Sequence, residues 1–90
     1  MTSIEQIKQY HKANPLTVSK VDESTVNLSD TKGNLSLDIE VNDDNWVCVT
    51  IDDFDVIVNV WEDEGLNCNV YGINEAEEVD TTDSLIISVK

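Results

Sequence analysis

Residues 35–42, with the sequence LSLDIEVN, alternate strictly between apolar and polar side chains. Successive side chains of a β-strand point to opposite faces, so Leu35, Leu37, Ile39 and Val41 would share one face of a sheet. A period of two is typical of a strand that covers an apolar core on one side and meets water on the other. The stretch therefore predicts a sheet with one buried and one solvated face.

Shorter apolar runs of the same kind lie on both sides of this stretch. We expect strands in residues 16–18, 24–28, 46–51, 55–61, 66–71 and 85–89. Most of the connections between them are short and rich in Asn, Asp and Gly, which favours antiparallel hairpins. The exception is residues 74–83, for which we expect an acidic loop of eight to ten residues.

The first residues of the chain predict one α-helix. Residues 2–5 (TSIE) fit a capping box, in which a Thr or Ser hydroxyl caps the helix and a Glu reaches back to it. Ile4 and Ile7 then follow helical spacing, and Pro15 pushes the residue before it out of the helical region. We therefore expect a helix over residues 3–13 whose Ile4/Ile7 edge lies against the sheet. The fold class that follows is α+β, one N-terminal helix packed on a mostly antiparallel meandering sheet of five to seven strands, in a single domain.

Electric charge divides the chain into two unequal parts. The formal net charge is −14, and the five basic residues are all lysines. In residues 1–33 lysines and carboxylates balance, so the whole net charge belongs to residues 34–90, where Lys90 is the one basic residue. A folded domain that concentrates charge in this way is destabilised by self-repulsion. The plainest functional reason for such a charge is a partner whose binding site is strongly positive.

The carboxylates of residues 34–90 are the candidate partner-binding residues. Side chains two apart on a strand share a face about 6.6 Å apart, which predicts the pairs Asp38/Glu40 and Asp53/Asp55. A strand of eight residues spans about 26 Å, comparable with about eight base pairs of duplex. Ordinary surfaces mix both signs of charge, so these rows and patches predict an imitation of the phosphates of a nucleic acid. The candidates are Asp38, Glu40, Asp43, Asp44, Asp52, Asp53, Asp55, Glu62, Asp63, Glu64, Glu75, Glu77, Glu78, Asp80 and Asp83.

The same composition excludes several other classes of function. The acidic balance argues against direct binding to nucleic acid or to an anionic membrane, and no apolar run approaches the ~18 residues of a spanning helix. The N-terminus lacks the basic and apolar regions of a signal peptide, so we expect a cytoplasmic protein. We interpret Cys48 and Cys68 as buried, reduced thiols, with a single disulfide as the alternative in a secreted domain.

Catalytic chemistry is not indicated. His11 has no second His and no Cys near it, whereas a general base or a metal ligand needs companions. We expect no enzyme activity, no catalytic residue, no metal site and no cofactor. Calcium remains the more serious rival because hard cations take clustered carboxylates, although residues 62–65 (EDEG) do not match the spacing of an EF-hand loop.

The acidic blocks 42–45 (NDDN), 62–64 (EDE) and 75–78 (EAEE), on a small domain without Arg, resemble those of phage-encoded DNA-mimic proteins. Among these, the chain is most similar to the small Arn-like anti-restriction proteins of T-even phages, in size, charge and helix-then-sheet layout. The resemblance transfers no individual residue. It implies an inhibitor that occupies the basic DNA-binding site of a host protein, such as a McrBC-like restriction endonuclease, before that protein reaches phage DNA.

Other interpretations of the acidic surface stay open. Anti-CRISPR proteins would have the same composition, and so would immunity proteins that neutralise a basic toxin nuclease. An acidic calcium-binding module is a third class. Strand edges together with Trp46 and Trp61 would support a homodimer that doubles the acidic surface.

Overall fold

The computed structural model describes residues 2–42, 46–62 and 64–89. These residues form one helix and seven strands, which confirms the α+β class. The elements are α1 (Ser3–Ala13), β1 (Leu16–Lys20), β2 (Thr25–Asp30), β3 (Ser36–Glu40), β4 (Val47–Ile51), β5 (Phe54–Glu62), β6 (Leu66–Ile73) and β7 (Val79–Ser88).

Helix α1 begins and ends where local sequence signals predict. The Oγ1 atom of Thr2, the N-cap, accepts a hydrogen bond of 3.4 Å from the backbone N–H of Glu5. At the other end the N–H of Asn14 donates to the carbonyl of Tyr10, and the chain leaves the helix before Pro15. Ile4 and Ile7 are buried. The predicted bounds and the predicted apolar edge are therefore confirmed.

The strands form two antiparallel sheets rather than the single sheet that we predicted. One sheet has the order β1-β2-β3 and the other the order β4-β5-β6-β7. A parallel bridge between Val18 and Val89 brings β1 beside the end of β7. Because β1 and β7 run in the same direction there, the β2–β3, β4–β5 and β6–β7 connections all lie at one end of the molecule. The β1–β2 and β5–β6 connections lie at the opposite end.

The core is built from the inward faces of both sheets and the apolar edge of α1. Val56, Val58 and Val60 of β5 are buried as their alternation predicts. In residues 35–42, whose side chains alternate between apolar and polar, Ile39 is buried whereas Leu35, Leu37 and Val41 are half-buried. Strand β3 lies at the edge of its sheet, so its side chains have neighbouring strands on one side only.

The predicted loop over residues 74–83 is wrong, because the last strand begins at Val79. Residues 74–78 form a short turn in which Asn74 Oδ1 accepts from the N–H groups of Ala76 (2.9 Å) and Glu78 (3.0 Å). The first half of β7 is mostly exposed and therefore lacks an apolar period. Pairing with Gly72 and Ile73 of β6, across a register shift, makes this segment a strand.

The two cysteines lie on opposite faces of the second sheet. Cys68 is buried opposite Val60, and its burial raises the pKa of the thiol to about 12. Cys48 pairs with Ile57 on the outward face and is exposed, so the expectation that it is buried is wrong. Both are free thiols.

Helix α1 has 11 residues, and no helix in residues 2–42, 46–62 and 64–89 is long and apolar enough to cross a membrane.

Candidate partner-binding surface

Carboxylates from two hairpins gather at one end of the four-stranded sheet. The β4–β5 and β6–β7 connections are two strand spacings apart, about 10 Å. This distance is close to a Debye length of ~8–10 Å at physiological salt, so the fields of the two groups add. We call this surface the acidic end, and it comprises Asp52, Asp53, Asp55, Glu75, Glu77, Glu78, Asp80 and Asp83.

Two members of the acidic end have a backbone in the left-handed region. Asp52 has φ 54° and Glu77 has φ 61°. Glu64, at the opposite end of the molecule, has φ 53°. The left-handed region suits Gly and is tolerated by Asn and Asp, whereas residues such as Glu are disfavoured there by roughly 1–2 kcal/mol. All the described non-glycine residues with positive φ are therefore acids, at positions where glycine would fit the backbone better.

Hydrogen bonds lower the pKa of two of these carboxylates, Asp80 and Asp83. Asp83 accepts from Lys8 Nζ, and this bond, with the N–H of Ser84, lowers the pKa of the Asp83 carboxyl. The hydroxyl and N–H of Thr82 lower the pKa of Asp80 in the same way. Shifts in this direction keep the groups charged at neutral pH, and they are opposite to the raised pKa that a general acid needs.

The remaining candidate carboxylates are distributed over other surfaces. Asp38 and Glu40 share the exposed face of β3 as predicted, and Asn27 Nδ2 donates to Asp38 Oδ1 at 2.9 Å. Glu62 and Glu64 lie at the end opposite to the acidic end. The candidates Asp43, Asp44 and Asp63 lie outside the described residues.

The predicted strand pair Asp53/Asp55 is wrong in one respect. Strand β5 begins at Phe54, so Asp53 belongs to the turn and only Asp55 to the strand. Asp52, with its positive φ, and Asp53 form the turn between β4 and β5. Asp55 accepts a hydrogen bond from Thr50 Oγ1 of the paired strand β4.

The one histidine of the chain has a local hydrogen bond. His11 Nδ1 accepts a hydrogen bond of 2.9 Å from the backbone N–H of Leu16, so this side chain stabilises the connection between α1 and β1. No group of three or more His, Cys, Asp or Glu side chains in residues 2–42, 46–62 and 64–89 is placed to hold a metal ion.

One further surface, on the outward face of the four-stranded sheet, was not predicted from the sequence. The outward face of the second sheet carries Asn59 and Trp61 on β5, and Asn69 and Tyr71 on β6. Trp46 stacks on Tyr71 with ring centroids 5.3 Å apart and an interplanar angle of 25°. The available signal was the alternation of amide and aromatic residues on two consecutive strands, opposite to their valine-rich faces.

Comparisons of the chain with known protein families, with curated proteins and with solved structures found no match.

Proposed function

We propose that this protein is a DNA mimic that occupies the basic DNA-binding site of a host nuclease or another DNA-binding protein, as a phage counter-defence against restriction. The observation that carries the proposal is the acidic end, where two hairpins bring their carboxylates together within about one Debye length. The chain from Val47 to Ser88 contains no lysine or arginine. A positive DNA-binding cleft would therefore meet a mainly negative field at this surface, in which Asp83 is paired with Lys8 of α1.

The backbone supports the same proposal. Glu77 places a carboxylate at a turn position where glycine or asparagine would suit the positive φ better. Such a placement is expected when the carboxylate itself contacts a partner.

The dimensions of the molecule suit a DNA-binding cleft. Its principal extents are 35 × 29 × 19 Å. The longest of these equals about ten base pairs at a rise of ~3.4 Å. Asp38 and Glu40, on the exposed face of β3, place two further carboxylates on the three-stranded sheet.

The experiment is a competition between this protein and duplex DNA for a McrBC-like restriction endonuclease and a set of other basic DNA-binding proteins. The expected inhibition is competitive with DNA and weakens at least tenfold between about 50 and 200 mM NaCl, because contacts with a phosphate-like surface are electrostatic. An acidic-end variant, with Asp52→Asn, Asp53→Asn, Glu75→Gln and Glu78→Gln, should lose most of this inhibition. The matched control is Glu23→Gln, an exposed acid in the β1–β2 connection at the opposite end.

Three outcomes would contradict the proposal. Inhibition that is unchanged by salt would indicate an apolar interface. Inhibition that is not competitive with DNA would favour the immunity-protein alternative, in which a toxin nuclease is bound away from its DNA site. Loss of all activity on removal of one single carboxylate would indicate a catalytic or metal site, since exposed charges each contribute little.

A further inference from the structure

The outward face of the four-stranded sheet differs in chemistry from the rest of this acidic molecule. We call it the aromatic face, defined by Trp46, Asn59, Trp61, Asn69 and Tyr71. None of these residues is charged, and Trp46 is 47% exposed. The adjoining Ile86 of β7, paired with Asn69, is 59% exposed. Exposed aromatic and apolar side chains gathered on one face mark an interaction site.

The strand register turns this face into a shallow cavity. Asn59 and Asn69 lie directly opposite each other on β5 and β6, and they form its floor. Trp61 lies two residues after Asn59 on β5, and Tyr71 lies two residues after Asn69 on β6. Because the two strands are antiparallel, the rings lie on opposite sides of the Asn59/Asn69 pair and form the walls of the cavity. The cavity between these four residues has a volume of about 280 Å³.

Stacking and hydrogen bonds hold the walls in place before any partner arrives. Trp46 precedes β4, yet it stacks on Tyr71 of β6 and therefore reaches across β5. Asn59 is only 5% exposed beneath this face, and its Nδ2 donates to the carbonyl of Asn42 at 3.3 Å. Asn69 Nδ2 donates to the hydroxyl of Tyr71 at 2.7 Å. A preformed cavity of this kind loses little conformational entropy on binding.

One polar atom in the cavity lacks a partner. Among the described residues, two buried side-chain oxygens have no hydrogen-bond partner, Oδ1 of Asn14 and Oδ1 of Asn69, and Asn69 is the one that lines this cavity. Buried acceptors are almost always satisfied, so an orphaned one in a cavity points to a ligand that donates a hydrogen bond. The walls add a second requirement, because aromatic faces attract flat or cationic groups.

We propose that this cavity receives an arginine side chain of the basic partner. A guanidinium is planar, carries five N–H donors and no acceptor, and stacks on aromatic rings. It therefore stacks on a ring wall, and it reaches the orphaned oxygen of Asn69 when that side chain, whose Oδ1 is closed to solvent in the free protein, turns toward it. The formal charge of −14 attracts a cation and repels phosphates and carboxylates. A neutral sugar would also stack on the rings, but it gains nothing from this field.

This inference rests on the proposed function, since both require a basic protein partner, but it assigns a separate task to a separate surface. The acidic end attracts the partner over a long range and weakens with salt. The aromatic face anchors one side chain through short-range stacking and a directed hydrogen bond. Trp, Tyr and Arg are the residues that most often dominate interface affinity. Here the protein supplies Trp and Tyr, and the partner would supply Arg.

The test compares two peptides of equal length and charge, nona-arginine and nona-lysine, by calorimetry and tryptophan fluorescence at 150 mM NaCl. The protein should bind nona-arginine about tenfold more tightly than nona-lysine, because only the guanidinium stacks and donates in a fixed plane. Trp61→Leu and, separately, Asn69→Leu should abolish this preference while leaving the nona-lysine affinity unchanged. Trp61→Phe, which keeps an aromatic ring, should retain part of the preference. This variant still tests the role of the ring if the leucine variants fail to fold.

The outcomes separate this inference from the proposed function. The acidic-end variant should weaken the binding of both peptides alike. An arginine preference that survives both Trp61→Leu and Asn69→Leu would overturn the cavity assignment alone, whereas failure to compete with DNA would overturn the proposed function alone. Displacement of nona-arginine by the neutral sugar maltohexaose would reassign the cavity to a saccharide. A dimer that is lost in Trp61→Leu would reassign the face to a second copy of the chain.

Discussion

Asp30 is a buried acid whose hydrogen bonds stabilise the fold. It is 8% exposed, and its Oδ2 accepts from the hydroxyl of Tyr10 on α1. Its Oδ1 accepts from the N–H groups of Asn34 (2.9 Å) and Leu35 (3.3 Å) in the β2–β3 connection. The hydrogen bond with Tyr10 lowers the pKa of the Asp30 carboxyl and raises the pKa of Tyr10 to about 12. One side chain thus joins the helix to the first sheet.

The contribution of Asp30 to stability should depend on pH. Because its pKa in the folded state lies below the ordinary value of 3.8, the stabilisation is present above that pH and is lost as the pH falls through the folded value. Asp30→Ala should lower the melting temperature by about 4–8 °C at pH 7, and the difference from the wild type should shrink toward pH 2. Thermal melts by circular dichroism across this range measure the effect.

Glu23→Gln is the control for this measurement, since Glu23 is exposed and should shift the melting temperature little at any pH. A difference between Asp30→Ala and the wild type that persists undiminished at pH 2 would show that the carboxylate charge is not what stabilises the fold. On the alkaline side, the contribution of Tyr10 is present below pH 10.0 and is lost as the pH rises toward about 12.

At the scale of the elements, the start of α1 is docked on the end of β6. The hydroxyl of Ser3 accepts from the N–H of Ile73 and donates to its carbonyl at 3.2 Å, so it takes the place of a strand partner. Gly72 makes this approach feasible. A Cβ atom at position 72 would lie 2.7 Å from the backbone nitrogen of Ile4 and 2.9 Å from Ser3 Oγ.

Gly72→Ala should therefore destabilise the fold by about 1–3 kcal/mol, the usual range for overpacking at a tight contact. Chemical denaturation measures the loss, and faster amide hydrogen exchange in α1 would locate it. Gly33→Asn is the matched control. Gly33 has φ 76° with nothing within 4 Å of an added Cβ, and asparagine tolerates this conformation. Equal stability of Gly72→Ala and the wild type would refute the docking role.

For the whole molecule, net charge sets a limit on stability. With −14 on 90 residues, the carboxylates of the acidic end repel one another in the folded state more than in an expanded chain. The surface that we propose for partner binding is therefore also a source of instability, and a bound positive partner would relieve the repulsion.

The melting temperature of the wild type should rise by about 4–8 °C between 10 mM and 0.5 M NaCl, equivalent to about 1 kcal/mol of relieved repulsion. The acidic-end variant should be more stable than the wild type at 10 mM NaCl and should respond less to salt. Calcium chloride should act no differently from NaCl at matched ionic strength. A saturable, calcium-specific rise in melting temperature would instead support the calcium-binding alternative.

The sequence by itself determined those features that depend on residues close together in the chain. The helix bounds follow from the Thr2 cap and from Pro15, which act within one or two residues. Most strands follow from a period of two between short turns. The identity of the charged residues, and hence the negative surface, required only a count along the chain.

Only the tertiary structure decided the features that join distant residues. The split into two sheets depends on strand pairing that ends in the bridge between Val18 and Val89. The first half of β7 is a strand because β6 offers it hydrogen-bond partners, and the outward position of Cys48 follows from register. The gathering of two hairpins into the acidic end, and of Trp61 and Tyr71 into one cavity, depends on strand direction and register in the same way. Such pairings gain their stability from long-range contacts, which no local preference of the chain encodes.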